Sequence, residues 1–492
     1  MQFYPSSLHS ALLVIIQKLM KKWEVFENIL VEKLVFWGKG FARVDGKVVF
    51  ITGWAIPWSR VNLRILKKRK DFFETQITEV LQKSPIETGS YELFPGAPWI
   101  NIDYQEQLKI KQTQIEESFF HIRKYQEHID FLPIIGAPDI FGYRNKIEFS
   151  FGKYISHREE KFEDFNIGFH ARGDFSRVED YSECLLIDAE QNQIYQRVRE
   201  YTKSSGLPVY DAKTQVGFWR HLLIRKTYFT SQTLLVFSFF PSYFEDEGEK
   251  EKALENLTWF CKKLSSDFPS LSSIYFSYNN NKADILIGEK MQLIYGEATV
   301  TEKLLGLDFD ISPQSFFQTN SRGAEILYWV VRDFVHSDTF STATILDLYA
   351  GTGTIGMILA SKAEKVISVE LIPEASKNGE ENAKKNHISH IEFVNEKVED
   401  FLKQYLQDGM KADLLVIDPP RAGMHPDTLP SVLKFGTQQI LYVSCNPATL
   451  ARDLQYILEN SDYKLEKVQA VDMFPHTHHI ETVVSLIKKE AV

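Results

Sequence analysis

Cysteine is scarce in this chain of 492 residues: there are three, Cys184, Cys261 and Cys445. They lie far apart and form no C-x-x-C pair, which excludes a disulfide framework and a cysteine zinc site. Long hydrophobic runs are lacking too. The longest near the start, residues 11–16, is much too short to cross a bilayer, and no small-residue cleavage site follows it. A reducing cytoplasm and no membrane partner are therefore expected. There is no internal repeat and no low-complexity tract. Positive charge is not in excess either. Lys+Arg number 56 against 66 Asp+Glu, a net charge of −10, which taken alone argues against a nucleic-acid partner. Phosphate contacts depend on local charge, however. Between Arg60 and Lys70 stand Arg60, Arg64, Lys67, Lys68, Arg69 and Lys70 with no acidic residue. The same segment reads equally well as a solvated strand edge kept soluble by its lysines.

What is present has the balance of a globular protein, with 44% apolar and 25% charged residues. The length calls for several domains. Met20 precedes a more ordinary start, so residues 1–19 read as a loose extension, and residues 1–23 carry no functional assignment. Residues 24–84 read as short strands. Asp45-Gly46 between apolar runs is a hairpin signal, and strands are predicted over residues 48–52 and 61–65. This pattern predicts a small β-barrel with a basic rim. Residues 85–300 are aromatic-rich and read as a mixed α+β domain, with strands near residues 146–151 and 234–240. Residues 301–492 turn regular. Strands at 344–348, 366–369, 391–394, 414–417 and 440–443 alternate with helical segments. That alternation predicts a doubly wound, mostly parallel α/β sheet, with ligands beyond the carboxyl ends of its strands.

The motifs sit at those ends. Gly351, Gly353 and Gly356 match G-x-G-x-x-G between a strand and a helix. The motif suits NAD, FAD or S-adenosylmethionine alike, and also a plain strand–helix turn. Glu370 ends the next strand, where a carboxylate can accept both ribose hydroxyls. The fourth strand ends in Asp418-Pro419-Pro420-Arg421-Ala422-Gly423. Two prolines make a stiff lip that suits a flat base and has no use in a dehydrogenase; a mere strand-ending turn is the alternative.

The fifth strand ends in Ser444-Cys445-Asn446-Pro447. Free cysteines are commonly small core residues, which fits Cys261 and Cys184. Cys445 instead closes a strand at the ligand rim before a helix start, whose dipole favours thiolate. Carbon 5 of uracil is too weak a nucleophile to take a methyl group from a sulfonium. A thiolate added at carbon 6 makes the ring an enolate, and carbon 5 then accepts the methyl. A base must afterwards remove the carbon 5 proton. Glu481 is the candidate. The nearby His476, His478 and His479 offer a histidine base or a metal site as rivals, although H-x-H-H is not zinc spacing, and no metal is expected.

At these residues the chain resembles the RNA uracil-5-methyltransferase family, which holds the bacterial ribosomal-RNA and transfer-RNA 5-methyluridine synthases. The resemblance covers nearly all of the chain after residue 24. It rests on Ser312-Pro313-Gln314-Ser315-Phe316-Phe317-Gln318-Thr319-Asn320, the loop 347–356, the loop 418–423, Ser444-Cys445-Asn446-Pro447 and His479-Ile480-Glu481-Thr482. It implies a class I S-adenosylmethionine-dependent methyltransferase domain of the Rossmann-like kind. Cofactor contacts are implied for Gln318, Tyr349, Glu370 and Asp418, beside Gly351 and Gly353. Thr354 stands where relatives often have Asn. Cys445 is implied as nucleophile and Glu481 as proton acceptor. Residues 24–84 resemble a TRAM domain, an RNA-binding barrel of the OB-like kind, with Arg64, Lys67 and Lys68 on its rim. Arg144, Lys146 and Arg220 lie in segments that resemble the family's RNA groove.

Two departures stand out. Many TRAM-bearing relatives hold an iron–sulfur cluster, but the segment Phe94-Pro95-Gly96-Ala97-Pro98-Trp99 has no cysteine, so no cluster is expected. Trp58 replaces a usual Gly, and would be strained if its turn needs positive φ. The barrel favours ribosomal over transfer RNA as substrate, since the bacterial transfer-RNA branch typically lacks it, and a monomer is expected. Two other readings remain. Amino-group methyltransferases carry an aromatic residue after Pro-Pro and need no thiolate; Arg421 and Cys445 argue against that. A non-catalytic RNA-binding or RNA-folding protein is opposed by intact Gly351, Glu370, Cys445 and Glu481.

Overall fold

The computed structural model describes residues 25–89, 91–156, 161–171, 173–336 and 343–489; the expected extension at 1–23 lies outside them. The chain divides into two compact units. The smaller holds the residues up to Leu93 with Ala97–Gln114 and His476–His478, and the larger holds the rest.

The smaller unit is a six-stranded sheet of β1 (Val25–Leu30), β2 (Lys33–Val35), β3 (Lys39–Val44), β4 (Lys47–Thr52), β5 (Arg60–Lys68) and β6 (Phe72–Gln82), in the order β1-β5-β6-β4-β3-β2. Period-2 alternation sets its inner face. On β5, Val61, Leu63 and Ile65 are buried while Lys67 and Lys68 are exposed and Arg64 is half-exposed. Asp45 and Gly46 both take positive φ, 51° and 76°, as a two-residue I′ hairpin requires. Trp58 takes φ 66°, so the strain foreseen for it is present. The core includes Trp99 and Ile102. These residues lie beyond 84, which is why the unit outruns the barrel boundary read from strand spacing.

Gln107 is fully buried in the helix Tyr104–Ser118 of this unit. Its Nε2 donates to the carbonyls of Trp99 (3.1 Å) and Ile102 (2.8 Å), and its Oε1 accepts from His476 N (2.8 Å). Gln107→Leu leaves these groups buried and unanswered. It should cost about 1–3 kcal/mol, read as a lowered urea midpoint at unchanged slope.

In the larger unit, β7 (Phe131–Ile135) pairs with a late strand of the last sheet, although the sequence places it in the central domain. A seven-stranded sheet follows: β8 (Lys146–Ser156), β9 (Lys161–Ala171), β10 (Asp174–Asp180), β11 (Trp219–Lys226), β12 (Thr233–Phe239), β13 (Leu271–Tyr278) and β14 (Lys290–Gly296), ordered β10-β9-β8-β11-β12-β13-β14. The hairpin of β15 (Val300–Leu304) and β16 (Leu307–Ile311) leads into the last sheet.

That sheet holds β17 (Thr344–Leu348), β18 (Lys365–Glu370), β19 (Ile391–Asn395), β20 (Leu414–Ile417), β21 (Gln439–Ser444), β22 (Tyr463–Val471) and β23 (Glu481–Lys488), in the order β19-β18-β17-β20-β21-β23-β22-β7. The strands β17 to β21 are parallel; β23 runs antiparallel to β21. Ile345, Val416 and Leu441 pack on one face, and Leu346, Leu415 and Tyr442 on the other. Burial on both faces is why these strands read as unbroken apolar runs.

Candidate active site

Register brings the motifs to one rim. Leu348 pairs with Ile417, and Ile417 with Tyr442, so Tyr349 and Asp418 leave neighbouring strands side by side. Ser444 pairs with Thr482 across β21 and β23. Cys445 and Glu481 therefore stand one step beyond that pair on adjacent strands, where facing residues are about 5 Å apart. The antiparallel β23 puts the first residue of its strand at the end where the parallel strands finish. No parallel reading of the sequence places Glu481 there.

A cavity of about 470 Å³ is lined by Cys445, Glu481, Asp418, Tyr349, Gln318 and Phe474 among others. A second, of about 760 Å³, is lined by Glu370, Ile372, Val398 and His425, and shares Tyr349, Asp418 and Pro420 with the first. Gly351, at φ 58°, has nothing within 4 Å of where a Cβ would stand, so its backbone faces open space. At Gly353, φ 69°, a Cβ would come within 2.4 Å of the Phe393 ring. The Glu370 carboxylate accepts from Gly351 N (2.9 Å) and Ile372 N (2.8 Å). These bonds fix it at the mouth of the loop with lone pairs to spare. Thr354 is buried, its hydroxyl 3.2 Å from that of Thr352. Asp347 is also buried. It accepts from Gly356 N (3.0 Å) and Ser368 Oγ (3.1 Å) and so holds the glycine loop in place. An open glycine backbone followed by a fixed ribose-height carboxylate fits an adenosine cofactor.

Burial raises three carboxyls together. Asp347 and Asp418 are each pushed up to about 7, and Glu481 to about 8, the last with help from the Asp418 charge and against the opposing pull of Arg421. Cys445 is half-buried. Burial and then Glu481 push its thiol up to about 11, with Arg421 pulling the other way. The burial and the carboxyl charges thus oppose the pull toward thiolate expected of the following helix start. The cap of the helix Pro447–Glu459 is closed by Asn446, whose Oδ1 takes Ala448 N (3.1 Å), while the carboxylates face the sulfur. Asn446 Nδ2 also donates to Arg421 O (2.9 Å), tying the Pro-Pro loop to the cysteine loop.

These raised carboxyls have a consequence for stability. A carboxyl whose pKa is raised on folding favours the folded state below its unfolded value near 4. That contribution is lost as pH rises to the folded value. The melting temperature should therefore fall between pH 6 and pH 8.5. It should fall less in Glu481→Gln, which cannot ionise there. Parallel curves for the two proteins would show that Glu481 does not titrate in this window.

The other cysteines are structural. Cys184 and Cys261 are buried, and burial raises both thiols. Among the described residues no cluster of three or more His, Cys, Asp or Glu could hold a metal. His476 Nδ1 lies 3.0 Å from Gln107 Nε2, and the His478 ring lies 5.8 Å from that of Trp37, all in the smaller unit. His479 lies against Phe474, ring centroids 6.0 Å apart. No described helix is long and apolar enough to cross a membrane.

Comparison with known proteins identifies this architecture. Residues 290–489 match the family model "tRNA (Uracil-5-)-methyltransferase". The chain is 37% identical over 477 residues to an uncharacterized RNA methyltransferase of Clostridium tetani, covering 96% of this chain and 100% of that one. It is 35% identical over 476 residues to one of Clostridium acetobutylicum, covering 96% and 99%. The chain belongs to the RNA uracil-5-methyltransferase family. Among solved structures, the Pyrococcus abyssi tRNA (uracil-54, C5)-methyltransferase in complex with S-adenosyl-L-homocysteine superposes with a TM-score of 0.70 at 25% identity. The match covers 94% of this chain and 100% of that one. This family member is an S-adenosylmethionine-dependent RNA methyltransferase; the glycine loop, Asp418 and Gln318 line the 470 Å³ cavity, and Glu370 lines the adjoining one.

The residues expected to meet RNA divide. The Arg144 guanidinium lies 5.9 Å from the ring centroid of Phe474, which lines the 470 Å³ cavity. Lys146 is half-buried, and burial and then Arg225, its cross-strand partner on β11, lower its pKa. Lys67 and Lys68 are exposed, and Arg64 donates to Gln76 Oε1 at 2.5 Å. Arg220 is a correction. It is 2% exposed, and its guanidinium donates to the carbonyls of Asn279 (3.0 Å), Asn281 (2.5 Å) and Ala283 (2.6 Å). It is no surface phosphate contact. Its burial follows from its place inside β11, the middle strand of its sheet. Sequence reasoning missed Tyr328 and Phe474 on the cavity wall. Tyr328 lies in an amphipathic helix, Ser321–Phe334, and reads as ordinary core.

Proposed function

We propose that this enzyme forms 5-methyluridine in RNA through a covalent bond between Cys445 and carbon 6 of the target uracil, with ribosomal RNA as the first substrate to test. The observation that supports this most is the single cavity holding Cys445, Glu481 and Asp418 beside the glycine loop. An amino-group methyltransferase has no use for the first two.

The Cys445 thiol gives its proton to the Asp418 carboxylate, which returns it to the thiolate after elimination and leaves Glu481 free as base, and the Cys445 sulfur bonds carbon 6. The C5=C6 electron pair moves toward carbon 5 and the ring carbonyl. S-adenosylmethionine, when bound, supplies the electrophilic methyl group that carbon 5 accepts. Glu481 then takes the carbon 5 proton. The electron pair of that C–H bond restores C5=C6 and expels Cys445 as thiolate. A carboxyl raised to about 8 is a stronger base than an exposed one, as this step requires. Asp418, held as a partly protonated carboxyl by its raised pKa, suits the polar edge of the base. The target uridine leaves its stack to reach a rim pocket of this kind.

Transfer RNA is the second reading. The match to the transfer-RNA enzyme of Pyrococcus abyssi covers 94% of this chain, too much for a sheet spanning residues 25–82 to fall outside it. Possession of the barrel therefore does not separate the two substrates. Mass-spectrometric nucleoside mapping of both RNAs, from cells with and without the gene, tests this. Loss of 5-methyluridine at a ribosomal position is expected. Loss from transfer RNA alone would reverse the order, and no loss from either would contradict the 5-methyluridine reading.

A further inference from the structure

A third cavity, a cleft of about 560 Å³, lies in the central sheet of the larger unit. It shares no lining residue with the catalytic cavity. Its walls come from β8, the β9–β10 hairpin and the loop after Tyr210. Lys153, His170, Phe175, Arg177, Lys213 and Arg220 face it.

Charge bookkeeping across its walls leaves a surplus of one sign. Asp284 lies 2.9 Å from His170 Nε2 and 3.1 Å from His221 Nε2, and its charge also acts on Arg220. Asp174 is answered by Arg177 Nε at 3.0 Å. Asp211 Oδ1 accepts the backbone N–H groups of Lys213 (2.8 Å) and Thr214 (3.4 Å). All three carboxylates of the cleft therefore have partners. Arg220 donates to neutral carbonyls and lies 4.4 Å from the Tyr210 ring centroid, with the Asp284 and Glu289 charges acting on it from further away. Lys153 and Lys213 make no ion pair among the described residues. Lys153, Arg177, Lys213 and Arg220 thus outnumber Asp174, Asp211 and Asp284 by one positive charge, before any charge on His170.

The second feature is Phe175. It is the second residue of β10, at 84% exposure, its ring centroid 5.9 Å from that of His170. A phenylalanine so exposed at the lip of a polar cleft contributes nothing to a core. An aromatic face beside a cationic surplus is the pattern that takes single-stranded nucleic acid, the ring stacking a base and the cations meeting its phosphate.

We propose that this cleft is a second RNA site, which accepts an unstacked nucleotide of the substrate away from the methylated base. Phe175 stacks the base, and Lys153 and Lys213 meet the flanking phosphate. Arg220 supplies fixed positive charge from the floor. The inference rests on the RNA reading above.

The test is fluorescence anisotropy with labelled single-stranded oligouridine across a potassium chloride series. Lys153→Ala/Lys213→Ala should weaken binding about tenfold or more and flatten the log–log salt slope by about 1.4, since a single strand loses about 0.7 per phosphate contact. Phe175→Ala should weaken binding on the order of 5- to 150-fold at unchanged salt slope. Phe175→Leu should weaken it nearly as much, because bulk remains and stacking does not. S-adenosylhomocysteine binding should be unchanged in all three, which checks their folding. Wild-type affinity in the variants would overturn the site while leaving the RNA reading intact. Weakened binding by the lysine pair at an unchanged slope would overturn the phosphate assignment. Failure of the unmodified enzyme to bind the RNA would overturn the RNA reading, and this site with it.

Discussion

Cys445→Ala is expected to abolish methyl transfer, lowering the rate by at least about 10⁴-fold, while S-adenosylhomocysteine still binds. Sulfur is the only group in the cavity that can add to carbon 6, and carbon 5 has no nucleophilic character until it does. The residues proposed to contact the cofactor sit on other strands: the glycine loop follows β17, and Glu370 ends β18. Removing one sulfur from the loop after β21 leaves them in place. The thiol is raised to about 11 by burial and its acidic neighbours, so few molecules carry thiolate at neutral pH without substrate. Free Cys445 should accordingly react slowly with iodoacetamide at pH 7, and faster as pH rises. Retained turnover by Cys445→Ala would remove the covalent route.

The second large effect is at Glu481. Glu481→Gln keeps shape and hydrogen-bonding reach but cannot accept the carbon 5 proton. Addition and methyl transfer proceed, and elimination stalls. Turnover should fall on the order of 10²–10⁴-fold, the usual worth of a general base. A covalent protein–RNA adduct should accumulate, visible as a retarded band on a denaturing gel. Its formation should need both RNA and S-adenosylmethionine, and the double variant with Cys445→Ala should show none. Clean turnover by Glu481→Gln would instead point to a histidine. His479 is the one to test, since it packs on Phe474 of the cavity wall, whereas His476 and His478 belong to the smaller unit.

Much of this was legible in the sequence, because the strands of the last sheet are buried on both faces and end in polar motifs. Runs such as Thr344–Leu348 and Leu414–Ile417 are apolar throughout and stop at the residue where chemistry begins. The Asp45-Gly46 turn was legible for a similar reason, since two adjacent positive φ angles admit few residue types. Less legible was anything that depends on long-range pairing. β7 lies more than three hundred residues from its partner β22, and nothing local marks it as an edge strand of the catalytic sheet. The extension of the smaller unit to Trp99, Gln107 and His476 is equally nonlocal. Arg220 shows the limit for charged residues. Its neighbours in sequence resemble an RNA-facing segment, yet the interior of β11 turns the guanidinium onto backbone carbonyls. The direction of the Cys445 shift was also hidden, because a helix start is visible in sequence while the two carboxyls that oppose it arrive from β20 and β23.

The central claim is that carbon 5 of a uridine exchanges its hydrogen for a methyl group. RNA prepared with tritium at carbon 5 of uracil, incubated with the enzyme and S-adenosylmethionine, tests it directly. The account predicts tritium released to water in step with methyl groups gained, and no release from Cys445→Ala. Methyl incorporation without tritium release would place the methyl on another atom and contradict it.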